Sequence, residues 1–158
     1  MRGGNGMTAF DPRNPDYETA VRGSFARQGL MATLGAELAA VGPGRVEIVA
    51  DYHDGLGQQH GFFHGGVIGA IGDSAGGYAA FSLMPPGSTV LTVEYKMNIV
   101  APGRGQRLIA RGEVIRPGRT LTTSRADVFA VDGGAETLCA TMLQTLMRLA
   151  AAAHRPAG

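Results

Sequence analysis

Over residues 65–83 the chain runs through a stretch in which one residue, Asp73, is charged. So long an apolar run exceeds an ordinary strand, and its Ala, Gly and Ile content predicts a helix. No run reaches the ~18 apolar residues of a membrane span. A helix that is apolar on nearly every face must be wrapped by other elements. The rest of the sequence has to supply the wrapping.

It does so with strands. Residues 45–52 alternate Val46, Ile48, Ala50 and Tyr52 with Arg45, Glu47 and Asp51, and the turn Gly42-Pro43-Gly44 joins them to residues 31–40, which are expected as the first strand of a hairpin. Further strands are expected at 89–100, 106–116, 121–131 and 136–149. Ala101-Pro102-Gly103, Pro117-Gly118-Arg119 and Asp132-Gly133-Gly134 separate them and carry the residue types of tight turns. The expected order is an antiparallel meander. Upstream, Tyr17, Ala20, Val21 and Phe25 recur at helical spacing behind Asn14-Pro15, which predicts a short amphipathic helix over 15–30 capped by Asn14. The fold class is therefore α+β, an antiparallel β-sheet wrapped around one long central α-helix. One domain over 15–149 is expected, with flexible tails at 1–14 and 150–158.

Composition narrows the function. The formal charge is +1 with the basic residues thinly spread, so no cluster could neutralise several phosphates in a row and nucleic acid is not an expected partner. The 25 glycines follow no three-residue period, which excludes collagen. The single cysteine, Cys139, sits between Leu138 and Ala140 and is expected as a small buried hydrophobe. Residues 1–7 lack the apolar core of a signal peptide, so a cytoplasmic location and no membrane partner are expected. His53, His60 and His64 share a loop but lack a Cys or His pair at zinc-ligand spacing, and no metal is expected.

Chemistry concentrates where that loop enters the apolar helix. Asp73 would lie about two turns in, and a carboxylate in such surroundings must be paired, hydrogen-bonded or used. Gly65 and Gly66 stand at the helix start, where the first amides have no internal partner and the dipole is positive. An amide there can polarise a carbonyl and hold the oxyanion formed on attack. The words His64-Gly65-Gly66 and Gly72-Asp73-Ser74-Ala75-Gly76-Gly77 also resemble the oxyanion and nucleophile segments of serine esterases. A nucleophile elbow, however, needs a strand directly before its serine, and Ser74 lies inside the helical run.

His64-Gly65-Gly66 with Asp73 nine residues after the histidine resembles the signature of the PaaI-like branch of the hotdog-fold thioesterases. The likeness runs through Gln59-His60-Gly61-Phe62-Phe63-His64-Gly65-Gly66-Val67-Ile68, Val93-Glu94-Tyr95-Lys96-Met97-Asn98 and Gly118-Arg119-Thr120. It implies an acyl-CoA thioesterase in which Asp73 attacks the thioester carbonyl or activates a water, while the amide of Gly65 polarises the carbonyl oxygen. Gln58 would orient the water, at a place where such proteins often carry asparagine; glutamine keeps the same donor and acceptor groups. Thr92 falls where a small hydroxyl residue contacts the site, and His64 belongs to the same set as the residue holding the loop.

For coenzyme A, which is substrate rather than cofactor, the resemblance points to Lys96 and Arg119, with Arg104 or Arg116, because phosphates call for cationic side chains. Gly66, Thr120 and Phe63 complete the expected binding set, and Phe62, Tyr78, Phe81 and Met84 could line an aromatic or medium-chain acyl pocket. A homodimer or homotetramer is implied, its sites at the subunit interface. Two alternatives stay open: a non-catalytic acyl-CoA sensor, and a hotdog enoyl-CoA hydratase, for which Tyr78 stands where a histidine is expected.

Overall fold

The computed structural model describes residues 10–150. Two short helices, α1 (Tyr17–Phe25) and α2 (Gly29–Thr33), precede strands β1 (Ala36–Gly42) and β2 (Arg45–Asp51). After the loop comes α3 (Gly65–Phe81), then β3 (Ser88–Ile99), β4 (Arg107–Arg116), β5 (Leu121–Asp132) and β6 (Ala135–Ala150). All strands join one antiparallel sheet in the order β1-β2-β4-β5-β6-β3.

The expected helix and wrapping sheet are therefore present, but the expected meander is not continuous. Of the four later strands only β4, β5 and β6 follow one another; β3 leaves the sequence order and pairs with β6 at the far edge. α3, 17 residues long, crosses the sheet obliquely: its first residue, Gly65, stands against Ile99 of β3, and Ser82, just past its end, accepts from the Gly44 amide just ahead of β2.

Residues 31–40, expected as a strand, divide into the end of α2 and the start of β1. Gly35, at φ 63°, makes the break, and Met31 and Leu34 are buried three residues apart, a helical rather than a strand spacing. The first helix begins two residues later than Pro15. Asn14 does not cap it; its Oδ1 accepts from the Asp16 amide at 3.0 Å and its carbonyl from the Tyr17 amide at 3.2 Å, closing a turn just outside.

The sheet presents Val46, Ile48, Leu108, Ala110, Val128 and Leu146 to α3, the period-two alternation read from the strands, and Cys139 is buried with them. Burial pushes the Cys139 thiol up to about 11, as suits a packing residue. At Gly112 of β4 an added Cβ would overlap the Ala75 carbonyl, so helix and sheet touch there backbone to backbone. The opposite face carries ion pairs, among them Arg111 forked onto Glu136 at 2.6 and 2.8 Å and reaching Glu47 at 2.8 Å. Phe10, inside the segment expected as a tail, packs against the core beside Gly44. The rest of the expected tails, 1–9 and 151–158, lies outside the described residues. No helix among the described residues is long and apolar enough to cross a membrane.

One edge of the sheet bears on function. β3 is paired on one side only, and Val93 interrupts its register between Thr92 and Glu94. The interruption inverts the alternation. Thr92 faces α3 before it, and Tyr95, Met97 and Ile99 face α3 after it. Val93, Tyr95 and Ile99 are 53%, 46% and 51% exposed, an unusual load of apolar surface on an open strand edge.

Candidate active site

The start of α3 is built by His64. Its backbone is extended (φ −65°, ψ 139°), and its Nδ1 accepts from the Gly66 amide at 2.9 Å, so the side chain acts as an N-cap. The Val67 and Ile68 amides bond to the His64 carbonyl. One helix-start donor is left over: among the described residues the Gly65 amide has no protein partner. The structure thus separates two glycines that the sequence treats together. Gly65 offers a free N–H, whereas Gly66, expected in the binding set, has its amide taken by His64.

Two turns along, Asp73 emerges half-buried. Its Oδ1 accepts from Thr92 Oγ1 at 2.7 Å and from Gln144 Nε2 at 2.9 Å. Burial pushes the carboxyl above the usual aspartate range, and the hydrogen bonds from Thr92 and Gln144 work against that rise. Beside it opens a cavity of about 520 Å³, walled by Ser24 and Gln28 from the N-terminal segment, Tyr78 and Phe81 from α3, and Val90 and Leu91 from β3. Ser74 donates to Gln28 Oε1 at 3.3 Å, and Tyr78 Oη lies 3.3 Å from Ser24 Oγ. Ser74 is in mid-helix, which removes the strand–turn–helix setting of a serine nucleophile.

Gln58, Phe62, Phe63 and Gly65 meet at a different cavity of about 480 Å³, with Ile99 and Pro102 on its other side. The Gln58 side chain turns back to accept from the His60 amide. Phe63 is 3% exposed and packs edge-on to Tyr52 at 5.1 Å, so most of it is core rather than binding surface. The sequence-predicted residues thus fall into two groups, Asp73 with Thr92 and Gln58 with Gly65. Eight residues of helix, ~12 Å, separate Gly65 from Asp73.

The expected coenzyme contacts are scattered. Lys96 stands on the exposed face of β3 opposite Leu143, and Arg119 and Thr120 are exposed in the β4–β5 connection, where the Thr120 carbonyl accepts from the Arg148 amide at 2.8 Å. Arg104 is exposed beside Pro102. Sequence reasoning missed Gln144. A signal existed: in β6 it occupies the inward parity of Met142 and Leu146, a polar residue in an apolar row.

The thioesterase superfamily model matches residues 60–137, which hold the end of the loop, α3 and four of the strands in whole or part. A protein of Halobacterium salinarum, named as a candidate esterase, is 30% identical over 127 residues, 77% of this chain and 82% of its own. A solved thioesterase family protein from Silicibacter pomeroyi is 51% identical, with a TM-score of 0.84 over 85% of this chain and 98% of its own. The PaaI protein of E. coli, from the phenylacetic acid degradation operon, shares 16% identity and has a TM-score of 0.76 over 87% of this chain and 96% of its own, a likeness of fold. With an apolar helix wrapped by one antiparallel sheet and this degree of relationship, the chain belongs to the thioesterase superfamily, as a thioester hydrolase of PaaI-like hotdog fold.

Proposed function

We propose that this thioesterase hydrolyses acyl-CoA, with Asp73 as its catalytic carboxylate and a second copy of the chain supplying Gly65 and Gln58. The observation that carries the reading is the pair of groups on α3: a carboxylate held through one oxygen, and a helix-start amide without a partner among the described residues. A reacting carbonyl must lie about 3 Å from both the attacking group and the oxyanion donor, and ~12 Å of helix forbids that within one chain. Pairing of two β3 edges about a twofold axis would set the Gly65 end of one α3 towards the Asp73 of the other. The open, apolar edge at Val93, Tyr95 and Ile99 supports it.

In such a site the free Asp73 oxygen, Oδ2, either attacks the carbonyl carbon or takes a proton from a water that attacks it. The negative charge moves to the carbonyl oxygen, where the Gly65 amide and the helix dipole stabilise it. Collapse breaks the C–S bond, and the thiolate leaves and takes up a proton. Direct attack gives a mixed anhydride that water then opens; both routes consume one water and yield free acid and CoA. Gln58 offers a side-chain amide to that water. The cavity between Tyr78, Phe81 and Leu91 suits an aromatic or medium-chain acyl group. Lys96, Arg119 and Arg104 are the proposed phosphate contacts.

The test is thiol release from aromatic and straight-chain acyl-CoAs, with wild type, Asp73→Asn, Gln58→Ala and the two variants co-expressed. Neither variant alone should turn over appreciably. Mixed dimers contain one intact site, so co-expression should restore about a quarter of wild-type activity. Absence of any recovery from verified mixed dimers would place the whole site within one chain.

A further inference from the structure

Behind Asp73 the structure has a polar layer that an apolar core does not need. Gln144 is fully buried in β6, and its Nε2 donates to Asp73 Oδ1 at 2.9 Å and to the Asp73 carbonyl at 3.2 Å. Its Oε1 has no partner among the described residues. Directly across the β5–β6 ladder, the Ser124 hydroxyl is likewise buried and unpartnered. The helix makes room for this side chain: at Gly76 an added Cβ would overlap Gln144 Oε1 and stand 2.6 Å from its Cδ and 2.9 Å from Ser124 Oγ. A buried amide with an unmet acceptor is costly, and a leucine or methionine would fill the space without that cost. The amide must be retained for what its donor does.

Both side-chain donors to Asp73, Thr92 Oγ1 and Gln144 Nε2, converge on Oδ1. Oδ2 receives no hydrogen bond among the described residues. We infer that Gln144 is a positioning residue of the hydrolytic site: with Thr92 it clamps Oδ1 and the backbone of Asp73, fixes the carboxylate plane, and leaves Oδ2 as the reacting oxygen. The inference rests on Asp73 being the catalytic carboxylate. The clamp also favours the ionised form, because a donor on a carboxylate oxygen stabilises its charge. Other groups contribute little to that balance. Across the cavity the charged neighbour is Arg27, its Nη1 occupied by the Gly23 carbonyl at 2.7 Å, and the other titratable group is the Tyr78 phenol, beside Ser24. β3 presents Thr92, β6 presents Gln144, and the inward faces of β2, β4 and β5 carry no titratable side chain near Asp73.

The experiment compares pH profiles of kcat and kcat/KM for thiol release by the full chain in wild-type, Gln144→Met, Gln144→Asn and Ser124→Ala forms, with folding and assembly checked by circular dichroism and gel filtration. Methionine conserves volume and removes the donor; asparagine keeps an amide but withdraws it by one methylene. Both should lower kcat at least about tenfold with little change in KM, and both should move the acidic limb up by about one to two pH units, the value of one hydrogen bond to a charged group. Ser124→Ala alters the same buried layer without touching Asp73 and should leave the limb in place. If either Gln144 variant folds with wild-type kcat and an unmoved acidic limb while Asp73→Asn is inactive, Gln144 is structural and the inference fails alone. If Asp73→Asn retains turnover, the catalytic assignment of Asp73 and this inference fall together.

Discussion

Gly65→Pro isolates the proposed oxyanion donor with little disturbance elsewhere. Proline is well tolerated at the first position of a helix, and Gly65 occupies that position behind the His64 cap. The residue before a proline must be extended, and His64 at φ −65° and ψ 139° already is. The hydrogen removed is one that no group among the described residues accepts. The new Cβ would meet the Ile99 Cδ1 methyl at 3.1 Å, the end of a flexible side chain that can give way. Against this contact stands the entropy lost by the unfolded chain, worth about 0.4–1 kcal/mol in favour of the variant. The melting temperature should therefore change by no more than a few degrees. Catalysis should suffer far more: removal of one oxyanion donor costs about 2.7–4 kcal/mol, or roughly a hundred- to a thousandfold in kcat. Steady-state thiol release measures the loss, with Gly65→Ala as the control that adds the same Cβ but keeps the amide and most of the turnover. A folded, dimeric Gly65→Pro enzyme with wild-type kcat would remove Gly65 from the mechanism.

Other outcomes follow from the same geometry. Asp73→Asn keeps an oxygen for both Thr92 and Gln144 while deleting a charge that burial disfavours, so it should raise the melting temperature as it abolishes turnover. The sign is set by the raised carboxyl: Asp73 weakens the fold where it is ionised, so the gain should be present at neutral pH and vanish below the ordinary aspartate range, where the group is protonated folded and unfolded alike; thermal melts of both proteins from neutral to acid pH would detect the reverse trend. Ser74→Ala loses only a 3.3 Å bond to Gln28, and its thiol-release rate should stay near wild type; an inactive protein would revive a serine nucleophile. Gly112→Ala forces a methyl into the Ala75 carbonyl and should cost about 1–3 kcal/mol in denaturant unfolding, or more if the helix cannot shift.

The central helix was legible because nothing else explains so long an apolar run with one acid, and β2, β4, β5 and β6 because period-two alternation and Gly/Pro turns are local signals. Gly65 and Asp73 were reachable as candidates for the same reason, since both belong to one helix and its start. Local signals fail when two segments of similar composition compete. Met31 and Leu34 could serve a strand or a helix, and the positive φ of Gly35, set by how α2 docks before β1, decided it.

By itself, then, the sequence determined which segments must be buried and where a charged group would be anomalous, because hydrophobic periodicity and helix-start chemistry act over a few residues. Only the tertiary structure decided what stands beside what. It placed β3 at the far edge, inverted the facing of its residues at Val93, and brought Gln144 under Asp73 from 71 residues away. Those choices depend on the path of α3 across the sheet and on strand register, features fixed by the packing of the whole core and written in no short stretch of chain.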